Sequence, residues 1–239
     1  MYNIWVNTLD FSNIKAVAFD IDGTLYRTWK FNIRMPVYFF SNSLFFLKYG
    51  LVRNIMRRTD AVEDLGILQS ELMAKKLHCT PEEAKAKLEK IVYKGLESKF
   101  EHIKPCSGSI EFIKHLKEKG YKIGILSDFP PEQKGDIWGI KDICDVVLGS
   151  EQTGALKPDP TPFLKLAEKL GLAPEEILYV GNSHRYDIAG SKKTGMKAAW
   201  LVSCLSGIFG KKSKLADVTF WNFKTLEKIF FENVKHESE

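Results

Sequence analysis

Cysteine is scarce in this sequence, and the few thiols are widely separated. Four cysteines occur among 239 residues, and no two of them form a CxxC pair. A zinc site built on cysteine pairs and dithiol redox chemistry are therefore not indicated. Isolated thiols are typical of a reducing compartment, so we predict inert thiols in a cytoplasmic protein. They are Cys79, Cys106, Cys144 and Cys204.

Signals for export and for membrane insertion are also lacking. The first 15 residues, MYNIWVNTLDFSNIK, contain no basic region followed by an apolar run, so no secretory signal is predicted. The most apolar stretch, residues 35–52, is interrupted by Ser41, Asn42, Ser43 and Lys48. A transmembrane helix needs about 20 mainly apolar residues. We therefore predict a buried or lid-facing helix here and no membrane partner.

Dense basic runs with interleaved aromatic residues are absent, so nucleic-acid binding is not predicted. The net charge of +5 is nevertheless unevenly placed. Residues 26–104 hold 15 Lys and Arg against 9 Asp and Glu, whereas the rest of the chain holds 20 against 21. A positive wall would attract anionic substrates. A solvated helical surface explains the same excess equally well.

Five short apolar runs predict the strands of a parallel sheet. They are residues 14–22, 121–128, 146–149, 177–181 and 197–202. Helical patterns between them indicate an α/β fold with helices on both faces of the sheet. Ligands of such sheets bind beyond the carboxyl ends of the strands.

Residues 26–104 do not follow this alternation and predict helices only. The clearest helix covers residues 81–100, where Thr80 and Glu83 form a capping box and Pro81 takes the first position. We predict a catalytic core made of residues 1–25 and 105–239, with an all-helical subdomain of residues 26–104 inserted after the first strand. The oligomeric state is left open.

The segment FDIDGTLY, residues 19–26, places two carboxylates at the end of a predicted strand. Asp20 and Asp22 point the same way if the chain is extended, because side chains alternate along a strand. Like charges held together need a cation or a proton between them. Gly23 supplies the freedom for a turn. Hard oxygen ligands of this kind suit Mg²⁺.

This segment resembles motif I of the haloacid dehalogenase-like superfamily, DxDGT[LV]. Three further segments resemble the later motifs in the right order: Ser127, Lys157 in LKPDP, and residues 181–190, GNSHRYDIAG. The resemblance spans about residues 18–201. It implies a Rossmann-like core with a helical cap between the first two motifs.

The resemblance implies a role for each matching residue. Asp20 would be the nucleophile and a metal ligand, and Asp22 the general acid and base that also lends its backbone carbonyl to the metal. Ser127 would bind a phosphoryl oxygen, and Lys157 would neutralise the negative charge of the transition state. Asp22 also argues against carbon–halogen cleavage, because the dehalogenases of the family lack this second aspartate.

Two positions depart from the family pattern. Asn182 stands where aspartate is common, so weaker Mg²⁺ binding is expected, with Asp187 supporting the metal directly or through water. Asp128 stands where asparagine is common and is expected to contact a substrate hydroxyl or to point elsewhere. Substrate contacts are further predicted for Gly23, Thr24 and Arg27. Other basic candidates from the inserted segment are Lys30, Arg34, Arg53, Arg57 and Arg58.

The favoured function is a Mg²⁺-dependent phosphomonoesterase that acts on a small phosphorylated metabolite through an aspartyl-phosphate. One alternative is a phosphosugar mutase or a phosphonate-cleaving enzyme; the latter would need a Schiff-base lysine, for which Lys30 and Lys48 are candidates. A second alternative is a weakly active or inactive binding protein, in which Asn182 and Asp128 mark the loss of activity. The identity of the substrate stays open.

Overall fold

The structure, a computed structural model, describes residues 5–6, 11–100 and 102–234. The outer limits of the predicted core, residues 1 and 239, lie outside this part, as does most of the segment read for a secretory signal. Within the described ranges, none of the helices is both long and apolar enough to span a bilayer.

The central element is a seven-stranded sheet with the order β1-β7-β6-β5-β2-β3-β4. Strand β1 pairs antiparallel with β7, and every other pairing is parallel. The prediction of a parallel α/β sheet is therefore confirmed. The strands are β1 Trp5–Val6, β2 Ala16–Phe19, β3 Lys122–Ser127, β4 Val146–Gly149, β5 Ile177–Gly181, β6 Lys197–Leu201 and β7 Val218–Phe220. The two short strands at one end of the sheet, β1 and β7, are absent from the sequence prediction because two or three residues carry no readable alternation.

Both faces of the sheet are buried, and strand β2 shows why. Its residues are fully buried but alternate between two apolar clusters. Val17 and Phe19 pack in one cluster with Phe112 and Phe230, whereas Ala16 and Ala18 pack in the other with Phe163 and Leu166. Alternation across a strand thus places helices on both faces. From residue 105 onward the α-helices are α7 Ser109–Glu118, α8 Pro160–Leu170, α9 Ala189–Lys193, α10 Cys204–Ile208 and α11 Phe223–Val234.

Between β2 and α7 the chain forms only helices, and we call residues 28–100 the helical segment. It buries an apolar cluster of its own, which includes Phe45, Val52, Leu88 and Leu96 and also contacts Leu156. The domain limits themselves stay a prediction. The helices are α1 Thr28–Asn32, α2 Pro36–Ser41, α3 Ser43–Met56, α4 Leu65–Leu77, α5 Pro81–Leu88 and α6 Lys94–Phe100.

The predicted helix over residues 81–100 begins as expected but is interrupted. Thr80 and Glu83 form the capping box, with Pro81 in the first turn. A π-helical turn, Glu89–Tyr93, then separates α5 from α6. Such turns are commonly found at functional sites.

Candidate active site

The predicted catalytic residues meet at the carboxyl edge of the sheet. Strands β2, β3 and β5 are neighbours, so the residues at their ends lie side by side. Asp20 follows β2, Ser127 ends β3 and Asn182 follows β5. A cavity of about 300 Å³ opens here and is lined by Asp20, Asp22, Arg57, Asp128, Phe129, Lys157, Asn182, Ser183, Tyr186 and Asp187.

Lys157 lies between two carboxylates at the floor of this cavity. Its Nζ donates to Asp20 Oδ1 and to Asp187 Oδ1, at 2.7 Å in each case, and all three residues are buried. The Tyr179 hydroxyl lies 3.2 Å from the same nitrogen. Burial alone would lower the pKa of Lys157, but Asp187 and Asp20 outweigh it and raise the pKa well above its ordinary value. The lysine therefore stays charged at neutral pH.

The Asp20 carboxyl lies close to two other carboxylates, those of Asp22 and Asp187. Burial raises the pKa of its carboxyl, Lys157 opposes that rise, and Asp187 and Asp22 add to it. The net direction is upward, which means that one lysine does not fully offset the crowded carboxylates. A second cation beside Asp20 would favour the ionised carboxylate needed for nucleophilic attack.

The oxygen donors on the other side of Asp20 fit a hard metal ion. Thr24 Oγ1 lies 2.9 Å from Asp20 Oδ2 and 3.1 Å from Asn182 Oδ1, so these two oxygens converge on one point. Gly23 has a φ of +91°, and a Cβ there would come within 2.5 Å of Asn182 Nδ2. Glycine therefore allows the amide to approach motif I. Within the described ranges, no cluster of three or more His, Cys, Asp or Glu side chains could hold a metal. The fitting donors are instead one carboxylate, one amide oxygen and the predicted Asp22 carbonyl, which is a set that Mg²⁺ accepts.

Asp187 is already engaged through both carboxylate oxygens. Lys157 donates to Oδ1, and the backbone N–H of Ser183 donates to Oδ2 at 2.8 Å. Direct metal ligation by Asp187 would require one of these bonds to open. The geometry therefore favours an indirect role, in which Asp187 positions Lys157 and Lys157 in turn positions Asp20.

Three donors surround the Asp22 carboxylate. The Tyr26 hydroxyl donates to Oδ1 at 2.7 Å, and Ser127 Oγ donates to Oδ2 at 3.0 Å. Lys134 Nζ forms an ion pair with Oδ2 at 3.2 Å, but the angles of this contact are not those of a hydrogen bond. The ammonium group is buried and lies 4.7 Å from the ring centroid of Phe100, at the end of the helical segment. The Lys134 ammonium thus lies between the predicted acid and base and the end of the helical segment.

Asp128 joins the core to the helical segment. Arg57 Nη1 donates to Asp128 Oδ2 at 2.6 Å, and the Lys157 backbone N–H donates to Oδ1 at 3.2 Å. Burial would raise the pKa of Asp128, but Lys157, Arg57 and Arg53 lower it overall. Both oxygens accept bonds within the chain, and Asp128 also lines the cavity, so a contact with a substrate hydroxyl stays a prediction.

A second contact between the same parts is formed by Arg53, which is buried. Arg53 forms an ion pair with Glu151 and donates to the Asp128 carbonyl at 3.0 Å. Tyr93, in the π-helical turn, donates to Glu151 Oε2 at 2.8 Å. Helix α3 is therefore fixed to the sheet edge by two guanidinium groups four residues apart.

Arg27 does not line this cavity, and its contact with the substrate stays a prediction. Its guanidinium donates to the backbone carbonyls of Trp221, at 2.9 Å, and Val202, at 3.4 Å. Its N–H groups are thus bound by backbone carbonyls near the end of the sheet and do not reach the cavity. Arg57, from the same list of basic candidates, lines the cavity instead.

Lys134, Glu151 and Tyr179 belong to the site but are missed by sequence reasoning. Tyr179 carries a readable signal, because a phenol inside the apolar run ILYVG needs a buried partner. Lys134 and Glu151 carry none. They reach the site through loops after β3 and β4, whose paths no local pattern specifies.

The family model described as "Haloacid dehalogenase-like hydrolase" matches residues 17–201. The chain is 29% identical to a glyceraldehyde 3-phosphate phosphatase of Methanopyrus kandleri, over 77% of this chain and 82% of that protein. It is 32% identical to the pyrophosphatase PpaX of Halalkalibacterium halodurans, over 78% of this chain and 82% of the relative.

Solved structures give the same fold. A HAD phosphatase from Thermococcus onnurineus is similar with a TM-score of 0.58 and 25% identity, covering 90% of this chain and 97% of that chain. A 2-haloacid dehalogenase from Pseudomonas syringae pv. Tomato DC3000 is similar with a TM-score of 0.64 and 20% identity, covering 92% and 99%. At that identity the second likeness shows the fold alone.

Proposed function

This chain belongs to the haloacid dehalogenase-like hydrolases, and from that membership we propose that it is a Mg²⁺-dependent phosphomonoesterase for a small phosphorylated metabolite. The observation that carries the proposal is the position of Asp20. Its carboxylate is buried at the end of β2, bonded to Lys157 and Thr24, and faces the same cavity as Asp22. The names of the phosphatase relatives support phosphate esters as substrates.

The proposed reaction has two displacements. Asp20 attacks phosphorus, a bond forms between its carboxylate oxygen and phosphorus, and the ester bond breaks while Asp22 gives its proton to the leaving oxygen. Water then attacks the aspartyl-phosphate, Asp22 takes a proton from that water, and inorganic phosphate leaves. Splitting one hard displacement into two easier ones is the advantage of a covalent intermediate.

The surrounding residues bind and orient the phosphoryl group. Ser127 lies 3.0 Å from the Asp22 carboxylate and would exchange that bond for one to a phosphoryl oxygen. Lys157 offsets negative charge on Asp20 and on the phosphoryl oxygens. Mg²⁺ held by Asp20, Asn182 and the Asp22 carbonyl would supply further charge neutralisation at the phosphoryl group. Because Asn182 is uncharged, weak metal binding is expected.

We propose that the helical segment acts as a cap and that residues 26–104 are its limits. Arg57 places a positive charge at the cavity wall, where it is bonded to Asp128. A cap excludes water and selects the substrate. Gly23 and Thr24 form the turn beside the proposed metal ligands Asp20 and Asn182. Their backbone groups would contact the phosphoryl group.

No observation favours the alternative functions. Lys30 Nζ donates to the Lys104 carbonyl at 3.0 Å, and neither Lys30 nor Lys48 lines the cavity. A phosphonate enzyme would need one of them as a Schiff base, which borohydride trapping would reveal. A mutase would convert phosphate isomers with little free phosphate, and a binding protein would show no metal-dependent turnover.

The first experiment measures phosphate release from p-nitrophenyl phosphate and from a panel of phosphorylated metabolites, with Mg²⁺ and with EDTA. Asp20→Asn should lose at least about 10³-fold in rate, since it removes the nucleophile. Asp142→Asn, an exposed aspartate away from the cavity, serves as the matched control and should retain activity. Turnover that survives in Asp20→Asn, or no turnover of any phosphate with excess Mg²⁺, would contradict the proposal.

A further inference from the structure

Apolar side chains form an exposed stripe along helices α1–α3. Starting at Trp29, every third or fourth residue up to Ile55 is large, apolar and between 41% and 81% exposed. Within a single helix this spacing puts successive side chains on one face, which applies to the four stripe residues that lie in α3. The first half of the stripe comprises Trp29, Ile33, Val37 and Phe40.

The second half of the stripe, Leu44, Leu47, Leu51 and Ile55, makes α3 apolar on two sides. Its inner side, which includes Phe45 and Val52, is buried in the cluster of the helical segment. A helix that is apolar all round is normally covered on all sides. Nine of the fourteen exposed large apolar residues in the described part of the chain lie between residues 29 and 55. A concentrated patch of this kind marks an interaction surface.

The charge around the stripe identifies the kind of partner. From residue 23 to residue 59 the sequence contains seven Lys and Arg and no Asp or Glu. Two of these, Arg53 and Arg57, pair with carboxylates of the core. The bonds of Arg27, Lys30 and Arg34 instead go to backbone carbonyls, which leave the positive charge uncompensated. Two more basic residues flank the stripe: Lys48, three to four residues from Leu44 and Leu51, and the exposed Arg58.

We propose that this stripe docks on the surface of a bilayer that contains anionic lipids. An amphipathic helical surface with Trp, Phe and Leu on one face and Lys and Arg beside it lies in the lipid interface. A second copy of the chain fits less well, because a symmetric pairing would bring one acid-free basic region against another. Surface docking requires no spanning helix, and it departs from the sequence expectation of no membrane partner.

Docking would also connect the lipid surface to the catalytic cavity. The inner side of α3 carries Arg53 and Arg57, which bond to Asp128, while its outer side carries the stripe. Helix α3 therefore lies between the stripe and the catalytic cavity. The proposal does not depend on the phosphatase function.

Flotation with vesicles tests the proposal on the purified full chain. The protein should float with phosphatidylcholine vesicles that contain phosphatidylglycerol and remain in solution with phosphatidylcholine alone. The double variant Leu47→Gln/Leu51→Gln should partition at least about tenfold more weakly, because it removes apolar contact with the interface. The matched control, Leu164→Gln/Leu205→Gln, changes two exposed leucines on other surfaces and should float like the wild type.

A charge variant distinguishes electrostatic binding to anionic lipids from nonspecific hydrophobic adsorption. Lys48→Glu/Arg58→Glu should weaken partitioning by about tenfold or more, since each basic residue near an anionic surface contributes about a fivefold factor. Circular dichroism and thermal melting check that each variant is folded. Flotation unaffected by the stripe or charge variants would overturn the proposal. Absence of flotation would overturn it too, and a dimer in sedimentation velocity that Leu47→Gln/Leu51→Gln abolishes would assign the stripe to a second copy.

Discussion

At the carboxyl edge of the sheet, buried charged side chains are bonded to one another, whereas the outer face of α1–α3 leaves apolar side chains exposed. Lys157 has partners on two sides at 2.7 Å. Leu44 and Leu47, by contrast, are each 63% exposed. The charged groups at the sheet edge find partners within the chain, whereas the apolar side chains on the outer face of the helical segment do not. The difference agrees with our two proposals, which place the chemistry at the sheet edge and the docking surface on the outer face.

Removing the central cation should have the largest effect on the sheet edge. Lys157→Met leaves Asp20 and Asp187 as adjacent buried carboxylates, so we expect a loss of about 3–5 kcal/mol in unfolding free energy. Activity should fall by at least about 10³-fold because transition-state charge is no longer offset. Denaturant unfolding and steady-state kinetics measure the two effects. Lys165→Met, an exposed lysine on α8, is the control and should leave both unchanged; a similar loss in both variants would contradict the special role of the buried site.

The second-largest effect is expected at Arg53, which joins the helical segment to the sheet edge. Arg53→Met leaves the Glu151 carboxylate without its buried cation, at a cost of about 2–4 kcal/mol. The double variant Arg53→Met/Glu151→Met should cost less than the sum of the single variants, because the unpaired charge is then absent as well. Denaturant unfolding of the four proteins of this cycle gives the coupling. Additive costs would mean that the ion pair does not hold the regions together.

Lys134, which lies in the loop after β3 and packs against Phe100 of the helical segment, tests what the ammonium beside Asp22 contributes to the chemistry. Lys134→Met removes the ammonium beside Asp22, so kcat/KM for an alkyl phosphate should fall about 10–100-fold, the range in which a misplaced general acid acts. The p-nitrophenolate leaving group needs no proton, and kcat/KM for p-nitrophenyl phosphate should change only a few-fold. Lys134→Arg should restore most of the difference. An equal loss on both substrates would indicate general damage to the fold.

The smallest effect is expected from the pH dependence of Asp128. Its pKa is lowered in the folded protein, so the unfolded state binds the proton more readily as the pH falls. The stabilisation is complete above the unfolded pKa of about 3.9 and is lost as the pH falls through the lower folded pKa. The difference in unfolding free energy between wild type and Asp128→Asn should thus be present at neutral pH and shrink in acid. A difference that grows toward low pH would reverse the assigned direction.

The sequence predicted the sheet edge better than the residues that reach it from loops. Asp20, Ser127 and Asn182 could be brought together in advance because strand ends in a parallel sheet meet at one edge, whereas Lys157 was predicted only from the family resemblance. The path of Arg27 could not be predicted, since its carbonyl partners at Val202 and Trp221 are far along the chain. Lys134 is positioned by a loop whose later residues have left-handed backbone conformations.

The helical segment shows a different limit. The 3.6-residue spacing of apolar residues on α3 is visible in the sequence, and it predicts a helix. The spacing cannot say which of two apolar faces is buried, because both satisfy the same periodicity. Only the packing of Phe45 and Val52 against the rest of the segment decides that.

The π-helical turn between α5 and α6 gives the chain an unusual sensitivity to length. In that turn the carbonyls of Val92 and Tyr93 accept bonds from Gln133 Nε2, at 2.9 and 2.7 Å. A π turn is what one inserted residue produces in an α-helix. Deleting a single residue from Glu89–Tyr93 would restore a regular helix, rotate everything after it by about 100°, and withdraw these acceptors from the core. The π-helical turn therefore contributes to the attachment of the helical segment to the loop that follows β3.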